Sequence, residues 1–133
     1  MQDSIVIDDS RAIRMILGRT LQRLGFEPAI AADAEEALRI LARNGDSIRV
    51  ALVDWNMPGI SGLEFVKTVR ADLRHNDLVL IMVTTETEID QMQAALEAGA
   101  NEYVMKPFTD EIIADKIRMT GLECPAGADA PLP

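Results

Sequence analysis

The sequence predicts a doubly wound α/β fold in which five helices surround a five-stranded parallel sheet. Five short apolar runs, rich in β-branched residues, alternate along the 133-residue chain with segments of helical periodicity. The third and fourth runs are apolar at nearly every position, which is typical of parallel strands covered by helices on both faces. This alternation favours one sheet between two layers of helices.

The apolar runs define the strands, and the segments between them define the helices. The strands are predicted at 4–8, 27–32, 48–54, 78–83 and 102–106. The first helix follows from apolar residues at helical spacing that stop at Gly25. The second begins after Asp33, which with Glu36 three positions later predicts a capping box, and it stops before Gly45. A later helical pattern closes at Gly99.

Length and composition indicate one domain, residues 1–120, followed by a flexible tail, residues 121–133. The tail, "GLECPAGADAPLP", lacks periodicity and is rich in Pro, Ala and Gly. The hydrophobic fraction of 48% and the charged fraction of 26% exclude disordered, fibrous and membrane classes. No apolar stretch approaches the ~20 residues that a bilayer span needs, and the acidic N-terminus is unlike a signal peptide. We therefore expect a cytoplasmic protein.

Charge and cysteine content exclude several kinds of partner and site. The formal net charge is -9, which argues against nucleic acid or an anionic membrane as a direct partner, because phosphate groups need a basic face. The single cysteine, Cys124, excludes an internal disulfide and a thiolate zinc site. Its position in the tail predicts an exposed thiol without a function.

Side chains suited to phosphoryl chemistry stand at the ends of four strands. Asp8 and Asp9 end the first strand, Asp54 the third, Thr84 the fourth and Lys106 the fifth. In an open α/β sheet, ligands bind beyond the carboxyl ends of the strands, so these groups are expected at one edge. Three carboxylates there would repel one another unless their pKa values rise or a divalent cation binds. Oxygen ligands without His or Cys favour Mg²⁺ or Mn²⁺, and an ammonium group suits a phosphoryl oxygen.

Each of these residues alone has a simpler explanation. Asp8 or Asp9 after a strand is commonly a turn or capping residue, Thr84 a helix cap and Lys106 a solvated charge. Their occurrence together at four strand ends favours a phosphoryl site.

Four motifs carry a resemblance to a known family: "IDD" at 7–9, "VDWNMPGISGLE" at 53–64, "MVTTE" at 82–86 and "YVMKPF" at 103–108. From residue 4 to about residue 119 the chain resembles the receiver domains of two-component response regulators, close to the stand-alone CheY-like chemotaxis type. The resemblance implies a flavodoxin-like sheet of order 2-1-3-4-5. It also implies a cis peptide bond between Lys106 and Pro107.

The resemblance assigns roles to the residues at the strand ends. It implies that Asp54 is the phosphoacceptor, with Thr84 and Lys106 receiving the phosphoryl oxygens. Asp9 and Asp54 would bind Mg²⁺ directly, Asp8 through a water molecule and Asn56 through its backbone carbonyl. Thr84 and Tyr103 would form the switch that responds to phosphorylation.

The function that the resemblance implies is that of a single-domain response regulator. A histidine kinase or phosphotransfer protein would donate the phosphoryl group, and an output protein would bind a face formed by helix 4, strand 5 and helix 5, including Ile89, Tyr103 and Phe108. The pathway would be chemotaxis or a related two-component system; a phosphorelay intermediate or a phosphate sink without a motor target is the alternative. We expect a monomer that is not a turnover enzyme and only catalyses its own phosphorylation and dephosphorylation.

Two features leave the lifetime of the phosphoryl group open. Thr85 is bulkier than the small residue common at its position in the family, which would narrow access to an acyl phosphate. Asn56 and Glu86 match the pair found in chemotaxis-type receivers, which indicates a short-lived phosphoryl group.

Other protein classes fit the sequence less well. A phosphatase of the haloacid dehalogenase type would carry its aspartate nucleophile after the first strand, together with a capping domain. A flavin-binding module would need Ser, Thr and Gly donors where "DDSRA" stands. A pseudo-receiver that binds partners without phosphorylation is disfavoured, because every expected site residue is present.

Overall fold

A computed structural model describes residues 2–44, 46–85 and 89–126, except for the side chain of Ile89. Strands and helices alternate along it, as the sequence predicts. The strands are β1 Ser4–Ile7, β2 Pro28–Ala31, β3 Val50–Val53, β4 Val79–Thr84 and β5 Glu102–Met105. The helices are α1 Arg11–Arg23, α2 Ala34–Asn44, α3 Gly62–Ala71, α4 Ile89–Ala98 and α5 Asp110–Met119, with a 3₁₀ turn at Leu73–His75.

The sheet has the order β2-β1-β3-β4-β5, and all of its strand pairs are parallel. This confirms the doubly wound fold and its strand order. Ile7 lies opposite Val53, and Val53 lies opposite Met82, so β1, β3 and β4 end at the same edge of the sheet. The reversal of strand order between β1 and β3 opens a crevice at that edge, where such folds bind ligands.

Strand side chains alternate between two apolar layers, as the pleat requires. One layer packs under α2, α3 and α4 and includes the buried ring of Phe65. The other packs under α1 and α5 and includes Leu17, Leu21 and Ile113. Both faces of the central strands are covered, which is why their sequences are continuously apolar.

Side-chain caps start several of the helices. The hydroxyls of Ser10, Ser61 and Thr109 accept hydrogen bonds from the first turns of α1, α3 and α5. At α2, Asp33 accepts a hydrogen bond from the Glu36 backbone N–H at 2.8 Å, as the predicted capping box requires. In a capping box, the Glu36 carboxylate would also accept a hydrogen bond from the N–H of Asp33. Here it accepts instead from the N–H of Ala32, one residue earlier, at 3.2 Å.

The residues after α5 differ from the sequence-based expectation. The backbone N–H of Ala126 donates to the carbonyl of Leu24 at 3.0 Å, which holds the chain against the end of α1. Leu122 packs on the core, and Cys124 is only 3% exposed, so the prediction of an exposed thiol is wrong. Residues 121–126 therefore lie against the domain instead of extending from it; residues 127–133 of the predicted tail lie outside the described residues.

None of the helices in the described ranges has the length and apolar character that crossing a bilayer requires.

Candidate functional site

Backbone hydrogen bonds beyond the strands fix the positions of three predicted site residues. The N–H of Asp54 donates to the carbonyl of Ile7 at 2.9 Å, which continues the β1 to β3 pairing by one residue. The N–H of Asp8 donates to Ala31 at 3.2 Å, and that of Lys106 to Thr84 at 2.9 Å. Hydrogen bonds to the sheet therefore hold the backbone of each residue. The three side chains project from the carboxyl edge of the sheet.

Three carboxylates meet at this edge. One oxygen from each of Asp8, Asp9 and Asp54 can be chosen so that all three lie within 4.8 Å of one another. Asp8 is 1% exposed and Asp54 is 7% exposed, whereas Asp9 faces solvent. A cluster of this kind is costly without a neutralising group, because burial and like charge both disfavour the ionised forms.

Lys106 provides the positive charge of the site. Its Nζ lies 3.1 Å from Oδ2 of Asp8 and 3.6 Å from Oδ1 of Asp54. The ammonium group therefore bridges the ends of β1 and β3 from the end of β5. The peptide bond between Lys106 and Pro107 is cis, as the family resemblance implied.

The pKa of Asp54 is raised to about 6. Burial is the main cause, and the negative charge of Asp8 adds to it; the charge of Lys106 acts in the opposite direction. A carboxyl group with this pKa is mostly ionised at pH 7 and becomes protonated as the pH falls through about 6. Binding of a cation next to Asp54 would favour the ionised form.

Two residues near Asp8 support the site but were not identified from the sequence. The N–H of Ser10 donates to Oδ1 of Asp8 at 2.9 Å, and Nη1 of Arg14 donates to the carbonyl of Asp8 at 2.9 Å. Ser10 carries a recognisable signal, because it stands directly before the helical pattern of α1. The contact of Arg14 depends on the packing of α1 and has no comparable signal.

Gly62 shapes the turn that follows Asp54. Its N–H donates to the carbonyl of Trp55 at 2.9 Å, so the first turn of α3 folds back onto the end of β3. A Cβ atom at position 62 would collide with the backbone carbonyl of Asp54. The glycine is thus required by close approach.

The remaining predicted site residues are placed as follows. Asn56 lies on the exposed turn two residues after Asp54. Thr84 is fully buried as the last residue of β4. Tyr103 pairs with Met82 and is 7% exposed, within the apolar layer under α4. Because Thr84 follows Met82 by two positions, Thr84 and Tyr103 stand on the same face of the sheet. Glu86 lies outside the described residues.

A groove of about 400 Å³ lies beside the cluster. Its lining is mostly apolar and comes from α1, from the residue after β4 and from the segment after β5: Ile13, Ile16, Thr85, Lys106, Pro107 and Phe108. A protein that approaches Asp54 from this side would meet an apolar surface next to the ammonium group.

The donor set fits a hard divalent cation. The cluster offers carboxylate oxygens from two strands, and the backbone carbonyl of Asn56 stands on the adjoining turn. Mg²⁺ is typically held by one or two carboxylates and keeps positions open for water or phosphoryl oxygens. Neither His nor Cys belongs to the cluster, so the chemistry of the donors favours Mg²⁺ or Mn²⁺ over zinc.

Comparison with known proteins identifies the family. The family model of the response regulator receiver domain matches residues 5–118. A chemotaxis protein CheY homolog of Campylobacter jejuni is 43% identical over 114 residues, which cover 85% of this chain and 87% of that protein. Chemotaxis protein CheY1 of Helicobacter pylori strain J99 is 42% identical over 116 residues, 86% of this chain and 93% of that protein.

A solved structure shows the same fold. The chemotaxis protein CheY4 of Vibrio cholerae superimposes with a TM-score of 0.79 at 35% sequence identity, over 90% of this chain and 98% of that one. The sheet order, the acidic cluster and the sequence matches agree. The chain therefore belongs to the response regulator receiver family, as a CheY-like member.

Proposed function

We propose that this protein accepts a phosphoryl group on Asp54 from a histidine kinase or a phosphotransfer protein, in a reaction that requires Mg²⁺. The observation that carries the proposal is the meeting of three carboxylates within 4.8 Å beside the ammonium group of Lys106. Membership of the receiver family supports the same chemistry.

The chemical step is a displacement at phosphorus. A carboxylate oxygen of Asp54 forms the new P–O bond as the P–N bond of the donor phosphohistidine breaks, and the released imidazole nitrogen takes up a proton in the donor protein. Mg²⁺, when bound, supplies charge neutralisation for the phosphoryl oxygens. Lys106 and the hydroxyl of Thr84 would bind those oxygens, so the protein contributes mainly positioning and electrostatic stabilisation.

The cation would be held by Asp8, Asp9, Asp54 and the carbonyl of Asn56. Asp8 is buried and hydrogen-bonded to Lys106 and to the N–H of Ser10, which fits a carboxylate that acts through water. Asp9 is exposed and free to turn toward the cation. These assignments follow the family pattern residue by residue.

The output would be protein binding controlled by Thr84 and Tyr103. Both stand on the same face of the sheet, so movement of the Thr84 hydroxyl toward a phosphoryl oxygen would change the packing next to Tyr103. A shift from about 1% to about 99% of the active state needs roughly 5.5 kcal/mol, which a few charge-assisted hydrogen bonds can supply. The readable face would be α4, β5 and α5.

We place the protein in chemotaxis or a related two-component pathway, in the cytoplasm and as a monomer. The sequence identity to chemotaxis proteins supports the assignment to chemotaxis or a related two-component pathway. A phosphorelay intermediate or a phosphate sink is the second candidate. In both roles the protein is a phosphoacceptor that catalyses only its own phosphorylation and dephosphorylation.

Intact-mass spectrometry with a small phosphodonor tests the proposal. We expect the wild-type protein to gain one phosphoryl group with Mg²⁺ and none after chelation, and Asp54→Asn to gain none. Asp77→Asn, which removes an exposed carboxylate outside the cluster, is the matched control and should behave like the wild type. A gain that survives in Asp54→Asn would place the chemistry on another residue, and a wild type that gains nothing would favour a pseudo-receiver.

Partner binding distinguishes the two roles. A pull-down with and without a beryllofluoride phosphoryl mimic should recover an output protein only in the presence of the mimic if the chain is a signalling switch. Recovery of only a kinase or phosphotransfer protein would favour the relay or sink role.

A further inference from the structure

Helix α1 carries an unusual concentration of positive charge for this chain. Arg11, Arg14, Arg19 and Arg23 all lie on this helix, which contains no acidic residue, although the whole chain has a formal net charge of -9. Arg23 is paired with Asp110 at 2.6 Å, and Arg14 donates to the carbonyl of Asp8. Arg11 and Arg19 are exposed, and within the described ranges neither has a carboxylate oxygen within 4.0 Å.

A groove of about 370 Å³ lies between these arginines and the edge strand β2. Its floor is apolar: Met15 is 48% exposed and Ile30 is 41% exposed. Gly18 lets Ile30 pack closely against α1, because a Cβ atom there would stand 3.3 Å from Cδ1 of Ile30. Arg11, Arg14 and Arg19 line the groove on the helix side.

This groove is separate from the surface beside Asp54. Ile13 and Ile16, on another side of α1, border Pro107 and Phe108, whereas the groove is bordered by β2 at the opposite edge of the sheet. A partner in the groove would therefore leave the approach to the phosphorylation site open.

We propose that the groove between α1 and β2 binds an acidic segment of a partner protein that carries aliphatic side chains. The guanidinium groups complement Asp or Glu, and the floor of Met15 and Ile30 complements Leu, Ile or Val. The volume suits a few side chains of a peptide and not a folded domain. Nucleic acid fits less well, because the lining includes no aromatic ring for base stacking and the net charge repels a phosphate polymer.

Selection from a library of short random-sequence peptides tests the proposal. The library is first depleted on Arg19→Glu protein and then selected on the wild type. Arg19 is exposed and belongs to no part of the phosphorylation site. We expect the recovered peptides to combine Asp or Glu with aliphatic residues. Recovery of none, or of basic peptides, would overturn the proposal.

Titration of one recovered peptide gives the quantitative test. Arg19→Glu should weaken binding about fivefold or more, whereas Arg39→Glu, an exposed reversal on α2, should leave it unchanged. Ile30→Ser should also weaken binding, whereas Ile112→Ser, at a residue with 40% exposure on α5, should not. Binding should weaken as NaCl rises from about 50 to about 500 mM. Equal effects in each variant and its control would contradict the proposal.

Other occupants give different results. Binding of anionic vesicles or of single-stranded DNA that requires Arg19, or self-association that Arg19→Glu abolishes, would overturn the assignment to an acidic partner segment. The inference does not rest on the proposed function, so phosphoryl uptake by Arg19→Glu should equal that of the wild type whichever result is obtained.

Discussion

The ammonium nitrogen of Lys106 lies 3.1 Å from the buried carboxylate of Asp8, although the two residues are 98 positions apart in the chain. The contact joins the end of β5 to the end of β1 at the carboxyl edge of the sheet. It also brings positive charge within 3.6 Å of Asp54, the proposed phosphoacceptor. We therefore expect Lys106 to affect both the stability of the metal-free protein and the reactivity of Asp54.

Replacement of this lysine should destabilise the metal-free protein. In Lys106→Met we expect the free energy of unfolding, measured with urea at about pH 7, to fall by about 1–3 kcal/mol, because two buried carboxylates lose their counter-charge. Lys116→Met is the control: it removes a partly exposed pair with Glu102 at 3.4 Å and should cost less than about 1 kcal/mol. Equal losses in the two variants would show that Lys106 is an ordinary surface charge.

The raised pKa of Asp54 predicts a pH dependence of stability. The pKa lies at about 6 in the folded protein and near 3.8 for an ordinary Asp, so the folded state holds the proton more tightly. The protonated carboxyl of Asp54 therefore stabilises the folded protein. This contribution is fully present below about pH 3.8 and is lost as the pH rises through about 6. Urea unfolding without Mg²⁺ should show Asp54→Asn gaining stability relative to the wild type between about pH 4 and about pH 7. A constant difference across that range would contradict the raised pKa.

Gly62→Ala should disturb the site although it adds only one carbon. The new Cβ collides with the carbonyl of Asp54, so we expect a loss of about 1–3 kcal/mol in the free energy of unfolding and slower phosphoryl uptake. Helix propensity alone would predict that Gly62→Ala increases the free energy of unfolding. Gly18→Ala is the control, because its Cβ meets only the flexible end of Ile30; it should be neutral or stabilise by about 0.5–1 kcal/mol.

The burial of Cys124 predicts a protected thiol. Burial raises the pKa of Cys124, and the charge of Arg118 opposes this only in part. A thiol reagent should therefore react slowly with the native protein and rapidly in denaturant. Because the chain has one cysteine, the signal reports this position alone. Rapid reaction of the native protein would show that residues 121–126 leave the domain surface in solution.

The strands and the gathering of charged side chains at their ends could be predicted from the sequence because both follow from periodicity. A buried strand is apolar throughout, and parallel strands bring their ends to one edge, so the positions of Asp8, Asp54 and Lys106 follow once the strand order is known. The predicted strand bounds are less accurate than the predicted strand positions. The apolar run at 48–54 forms a strand only at Val50–Val53, because pairing with β1 and β4 sets the ends of β3.

Contacts that depend on three-dimensional packing could not be predicted. The close approach of Gly62 to Asp54 and the hydrogen bond from Arg14 leave no periodic pattern in the sequence. The burial of Cys124 could not be predicted either, because its segment has no periodic pattern. Leu122 and Cys124 pack against the apolar layer under α1 and α5. Side-chain roles at the site rested on the family resemblance, and they stay predictions until the variants are measured.

Calorimetric titration of the metal-free protein with MgCl₂ tests the central claim most directly, since every proposed step requires carboxylates of β1 and β3 to share one cation. We expect one ion to bind per wild-type chain, more weakly below about pH 6, where Asp54 takes up a proton. Asp9→Asn and Asp54→Asn should each weaken binding strongly, and Asp77→Asn should not. Absence of binding to the wild type, or binding that survives both cluster variants, would contradict the account.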